Sequence, residues 1–183
     1  MQENIDSLSM ESERNEDAVQ TSADGAAKAD RRQRAESRIS PEKQAMRDFR
    51  EKVVILMYLT GFYEKADREE QARRYLEDVD ASGETREKMY ERYREVAGAI
   101  GRIDPMITEA SKGWKLNRIG KVELNILRVA VYEMYFDETV PVSVAINEAV
   151  ELAGIYGVEQ SHAFVNGILS EILKRHPVPE TQG

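Results

Sequence analysis

GKVELNILRVAVYEM, residues 120–134, decides the fold class. At about 100° per residue, Val122, Leu124, Ile126, Leu127, Val129, Ala130, Val131 and Met134 cover most of a helix circumference. Lys121, Asn125, Arg128 and Tyr132 are left as a narrow polar stripe. A helix that is apolar nearly all round has to be surrounded by other elements, so this segment reads as a central strut.

Upstream of the strut, Ser40-Pro41 has the chemistry of an N-cap followed by a first helical position. Ala45, Met46, Phe49, Val53, Leu56, Met57 and Thr60 then recur at helical spacing as far as Gly61. A more polar helix is expected from Asp67 to Val79, and a third carries Met89, Tyr93, Val96, Ile100 and Ile103 on one face. Asp104-Pro105 predicts the start of a separate short helix ending near Gly113, with Trp114 as a core plug beyond it. Downstream, Pro141 breaks the chain and Ser143 caps a helix with Ile146, Ala149, Val150 and Ala153 inward and Glu148 and Glu151 outward. A last helix runs from about Glu159 to Arg175, and Pro177 stops it. No segment alternates with period two for long, and the sole Asn-Gly pair, Asn166-Gly167, lies inside a helical pattern. The expectation is an all-α domain of about seven helices over residues 40–176, with residues 177–183 as a short tail.

Composition narrows the function. The 183 residues include no cysteine, which excludes disulfides, thiol catalysis and cysteine-based metal sites and fits a reducing, cytoplasmic setting. The longest uninterrupted apolar run, VVILMYL at 53–59, falls far short of the roughly 20 residues of a membrane span, so no membrane partner is expected. The start carries neither a basic n-region nor an apolar h-region, so no secretory signal is read there. The net charge of −8 is unevenly spread: residues 1–30 hold 8 acidic and 2 basic side chains, and residues 31–52 hold 8 basic and 4 acidic ones. Apolar side chains are sparse over residues 1–39 and never recur at helical spacing. This stretch is therefore expected to be a disordered acidic leader ending in the basic island RRQRAESR.

Enzymatic motifs are missing. There is no Walker loop, GxGxxG, GxSxG elbow or HExxH. Glu159 and His162 make a single Glu-x-x-His, where a ferritin-like di-iron site needs two plus two further glutamates. Glu148 and Glu151 are carboxylates at i, i+3 but lie opposite an apolar stripe, where a solvated face is the expectation. No catalytic residue, metal or cofactor is assigned. What remains is a cationic stripe, Lys43, Arg47 and Arg50 at i, i+4, i+7, with Tyr58 nearer that side than the apolar one. Guanidinium groups that meet phosphates and a ring that stacks on bases suit single-stranded RNA.

GKVELNILRVAVYEM (120–134), VPVSVAINEAVELAGIYG (140–157) and SHAFVNGIL (161–169) resemble, in order and spacing, the NusB transcription antitermination family. MRDFREKVVILMY (46–58) is similar, more weakly, to that family's N-terminal arginine-rich helix. The resemblance implies two three-helix subdomains and a binding protein rather than an enzyme. It implies pairing with NusE, a small-subunit ribosomal protein, and binding of the pair to boxA RNA in leaders of ribosomal RNA operons. Through these it implies an indirect association with RNA polymerase in an antitermination complex. Residue by residue, Arg47 and Arg50 match RNA-binding arginines, and Tyr58 and Glu123 match positions around the NusE contact. Gln160, Ser161 and Phe164 match the border of the RNA surface. The family's dense arginine cluster is interrupted here by Met46, Asp48 and Phe49, while Arg31, Arg32, Arg34 and Arg38 stand upstream as further RNA-binding candidates. Two alternatives stay open: a helical interaction module, homodimeric over the same surface, or an accessory domain of the kind that precedes ribosomal RNA methyltransferases. The second finds no cysteine nucleophile and no room for a cofactor-binding domain in these 183 residues.

Overall fold

The computed structural model describes residues 40–111 and 115–178. Its described residues form six α-helices: α1 (Pro41–Thr60), α2 (Arg68–Glu77), α3 (Gly83–Ala110), α4 (Lys121–Phe136), α5 (Val142–Tyr156) and α6 (Ser161–Arg175). A 3₁₀ turn, Leu116–Arg118, precedes α4. The contacts of the chain divide it after Gln44. On the first side, the Gln44 N–H donates to the Ser40 carbonyl at 2.9 Å, and the Lys43 N–H to Ser40 Oγ at 3.4 Å, so the cap is where the sequence places it.

The second unit holds the core. Residues 125 to 127 and 129 to 134 of α4 are all buried, and α4 packs on α3, α5 and α6, so the strut is central. Helices α4, α5 and α6 pack on one another in all three pairings and make one three-helix subdomain. The long α3 packs on α2 and also reaches α4 and α6, which ties α2 to that subdomain. Ile103 and Ile107 of α3, Ile126 and Leu127 of α4, and Leu169 and Ile172 of α6 are among the largest fully buried side chains, with Leu56 of α1. Truncating one such residue to alanine typically costs about 2–5 kcal/mol. The part of α1 within this unit meets its neighbours less through close backbone approach than through side chains, Val53, Leu56 and Met57 among them.

Two boundaries differ from the sequence expectation. Ser143 does not cap α5: the helix already starts at Val142, with Pro141 at its N-cap and no side-chain cap bond. Pro105 does not open a new helix; it lies inside the 28-residue α3. The carbonyl deprived of its donor belongs to Gly101, which is exposed, so this carbonyl is open to solvent rather than stranded in the core. Trp114 and residues 1–39 lie outside the described residues, as do the expectations placed on them. Among the described residues no helix is long and apolar enough to cross a membrane.

Candidate RNA and partner interface

Arg47 and Arg50 point inward, not along an open cationic stripe. They are 7% and 5% exposed. Arg47 makes a two-pronged pair with Glu148 of α5, Nε to Oε2 at 2.8 Å and Nη2 to Oε1 at 3.0 Å. Arg50 Nε lies 2.8 and 2.9 Å from the two carboxylate oxygens of Glu133 on α4. The correction has a physical cause: α1 lies against α4 and α5, and a guanidinium that must be desolvated there survives only when a carboxylate pairs with it. Glu148, read as a solvated carboxylate, is that partner for Arg47, whereas Glu151 is exposed.

Glu133 extends the network. Arg92 of α3 approaches it at 3.7 Å and also bonds to Asp137 just past α4, so one buried acid sits between guanidinium groups from α1 and α3. Burial pushes the Glu133 carboxyl upward against the pull of Arg50 and Arg92. At Asp137, burial also works upward, but the hydroxyl and N–H of Thr139 and the Arg92 guanidinium outweigh it and hold this acid below its ordinary value. Arg47 titrates above the usual arginine value, first because of its hydrogen bond to Glu148.

A second feature lies at the far end of α1. Val54, Ile55 and Tyr58 line, with Glu51, Val122 of α4, and Leu152 and Tyr156 of α5, a largely apolar groove of about 250 Å³. The Tyr58 ring meets Phe62 edge-on at 5.1 Å, and Lys121 Nζ stands 3.9 Å above the Phe62 ring. Phe62 is 56% exposed and Val158, two residues after Tyr156, is 73% exposed. Sequence reading singled out Tyr58 but missed Phe62. The aromatic Phe62-Tyr63 directly after Gly61, on a loop between two helices, was the available signal.

Glu123 and Ser161 belong to a corner beside this groove. The Glu123 carboxylate folds back over the start of α4, where it occupies the space a side chain on Gly120 would need. Ser161 Oγ donates to Glu123 and accepts the Val158 N–H at 2.8 Å. Ser161 is therefore 2% exposed and committed to holding the start of α6 against the start of α4, not open to RNA. Phe164 is half-buried against the core, and Gln160 and Lys43 are exposed. Arg31, Arg32, Arg34 and Arg38 lie outside the described residues. No group of three or more metal-ligating side chains is found among the described residues.

The described residues make an all-helical module with an apolar groove beside α1 and an exposed aromatic ring next to it. Comparisons make the class specific. The NusB family model matches residues 47–174. A transcription antitermination protein NusB of Lachnoclostridium phytofermentans is 43% identical over 128 residues, 69% of this chain and 97% of that relative. The structure of T. maritima NusB superimposes with a TM-score of 0.63 at 34% identity, covering 71% of this chain and 91% of that one. A chain in the crystal structure of the antitermination factors NusB and NusE in complex with dsRNA shares the fold, with a TM-score of 0.59 at 24% identity over 73% of this chain and 98% of that one. The chain belongs to the NusB family.

Proposed function

We infer that the protein is a cytoplasmic transcription antitermination factor, not an enzyme, which binds RNA together with a NusE-type ribosomal protein. The observation that carries this reading is the groove lined by Tyr58, Val122 and Tyr156, with exposed Phe62 beside it, in a chain that spans nearly the whole of its antitermination relative. A concave apolar surface with aromatic anchors fits a protein partner. The RNA would be a boxA-type element of ribosomal RNA operon leaders, held by Lys43, the upstream arginines, Gln160 and the edge of Phe164, and the pair would act on RNA polymerase indirectly. In this assignment Arg50 and Ser161 support the surface from within.

One observation favours a second reading, a NusB-like interaction module with no RNA activity of its own: the two arginines best placed by sequence are both occupied by glutamates. A single titration separates the two. Fluorescence anisotropy of a labelled single-stranded boxA-type RNA is measured with the full chain, with and without purified NusE, over a salt series. The antitermination reading expects salt-dependent binding that NusE strengthens and that a scrambled RNA does not match. It also expects Tyr58→Ala to weaken NusE capture by about tenfold or more, as loss of an aromatic anchor does. Equal binding of scrambled RNA, or capture untouched by Tyr58→Ala, overturns it.

A further inference from the structure

We propose that Glu148 is a built-in phosphate mimic: it occupies the guanidinium fork of Arg47 until an RNA phosphate displaces it, and so sets the affinity for RNA. This rests on the RNA-binding reading above. The Nε–Nη2 edge that Arg47 presents to Glu148 at 2.8 and 3.0 Å is the same edge by which arginine grips phosphate two-pronged.

The two arginine pairs on α1 differ in whether such an exchange is open to them. The side chain of Glu133 is only 4% exposed, so withdrawing Arg50 strands a carboxylate in the core. The side chain of Glu148 is 18% exposed and stands at the rim, so an incoming anion can reach the pair and the displaced carboxylate can turn to water. Asp48 on α1 and Glu151 on α5 add to the negative potential at Arg47, which keeps the arginine balanced and weakens its call on distant phosphates. Arg47 is thus the exchangeable cation of the helix and Arg50 the fixed one. Glu148 acts through Arg47 and is a positioning residue.

The test uses the full chain with NusE and the labelled boxA-type RNA. Glu148→Gln keeps the shape of the side chain and removes its charge. It is expected to bind about fivefold more tightly than the native chain, the scale of one partly exposed ion pair. Its salt dependence should also steepen by up to about one ion, because the native chain takes up a cation when Glu148 is released. Glu151→Gln makes the same charge change without the hydrogen bonds and should shift affinity far less. Arg47→Ala in the Glu148→Gln background should abolish the gain. A purely structural pair would instead lower thermal stability in Glu148→Gln and leave the salt slope where it was. Equality of Glu148→Gln with Glu151→Gln overturns the masking while leaving the RNA-binding reading intact, whereas absence of RNA binding by the native chain with NusE overturns both. A readout on the native chain needs no variant: the Arg47 Nε–H resonance should shift as RNA is added, and a resonance that stays in place refutes the exchange.

Discussion

Arg50→Met is the most informative perturbation of the fold, because it separates the cost of breaking a buried pair from the worth of having one. Arg50 and Glu133 are both almost fully buried, and their contact joins α1 to the central helix. Removing the guanidinium leaves the Glu133 carboxylate with Arg92 as its remaining cation, at 3.7 Å. Breaking a buried pair typically costs about 3–5 kcal/mol, and the residual attraction to Arg92 places the expected loss at the lower end, about 3 kcal/mol. With a urea dependence of about 2 kcal/mol per molar for a domain of this size, the unfolding midpoint should fall by about 1.5 M. The partner experiment replaces both residues, Arg50→Met with Glu133→Leu. No uncompensated charge then remains on either side of the contact, and burial, which already works against the Glu133 carboxylate, no longer opposes anything. The double variant should recover to within about 1 kcal/mol of the native chain. The reasoning is refuted if the single variant costs less than about 1 kcal/mol, or if the double variant costs the sum of the two single ones.

The corner at Ser161 and three phenols that are wholly or partly buried give the remaining outcomes. A Cβ on Gly157 would collide with the Cβ and hydroxyl of Ser161, so Gly157→Ala should lower stability by about 1–3 kcal/mol, while Gly167→Ala, in open space within α6, should raise it by up to about 1 kcal/mol; melting temperatures that move together contradict the packing argument. Burial raises the phenols of Tyr75, Tyr132 and Tyr135 above their ordinary value, so their contribution to stability is fully present below the unfolded tyrosine value of about 10 and is lost as pH rises through the folded values. Denaturant midpoints followed alongside tyrosinate absorbance should therefore decline together above that pH, and a flat stability across the window removes these three residues from the account.

How much of this could be read from the chain depends on the kind of interaction. The strut at 120–134 was legible because burial on all sides leaves a one-dimensional trace: apolar residues at nearly every angle of a helix. The start of α1 was legible for a similar local reason, since the Ser40 side chain reaches only as far as Lys43. Pro105 was misread because proline's usual rule for a helix start is local, while the tolerance shown here depends on Gly101 one turn earlier facing solvent. Arg47 and Arg50 were placed correctly on one side of a helix, yet helical spacing says nothing about what packs against that side. Their partners lie 101 and 83 residues away in the chain.

The helical class, the central helix and the family are written in spacing and in runs of residue type, so they can be read along the chain. Which charges face solvent and which are held inside is settled only by packing. The reason is that a charge's fate depends on the dielectric around it and on partners from other helices, and both come into being when the helices pack.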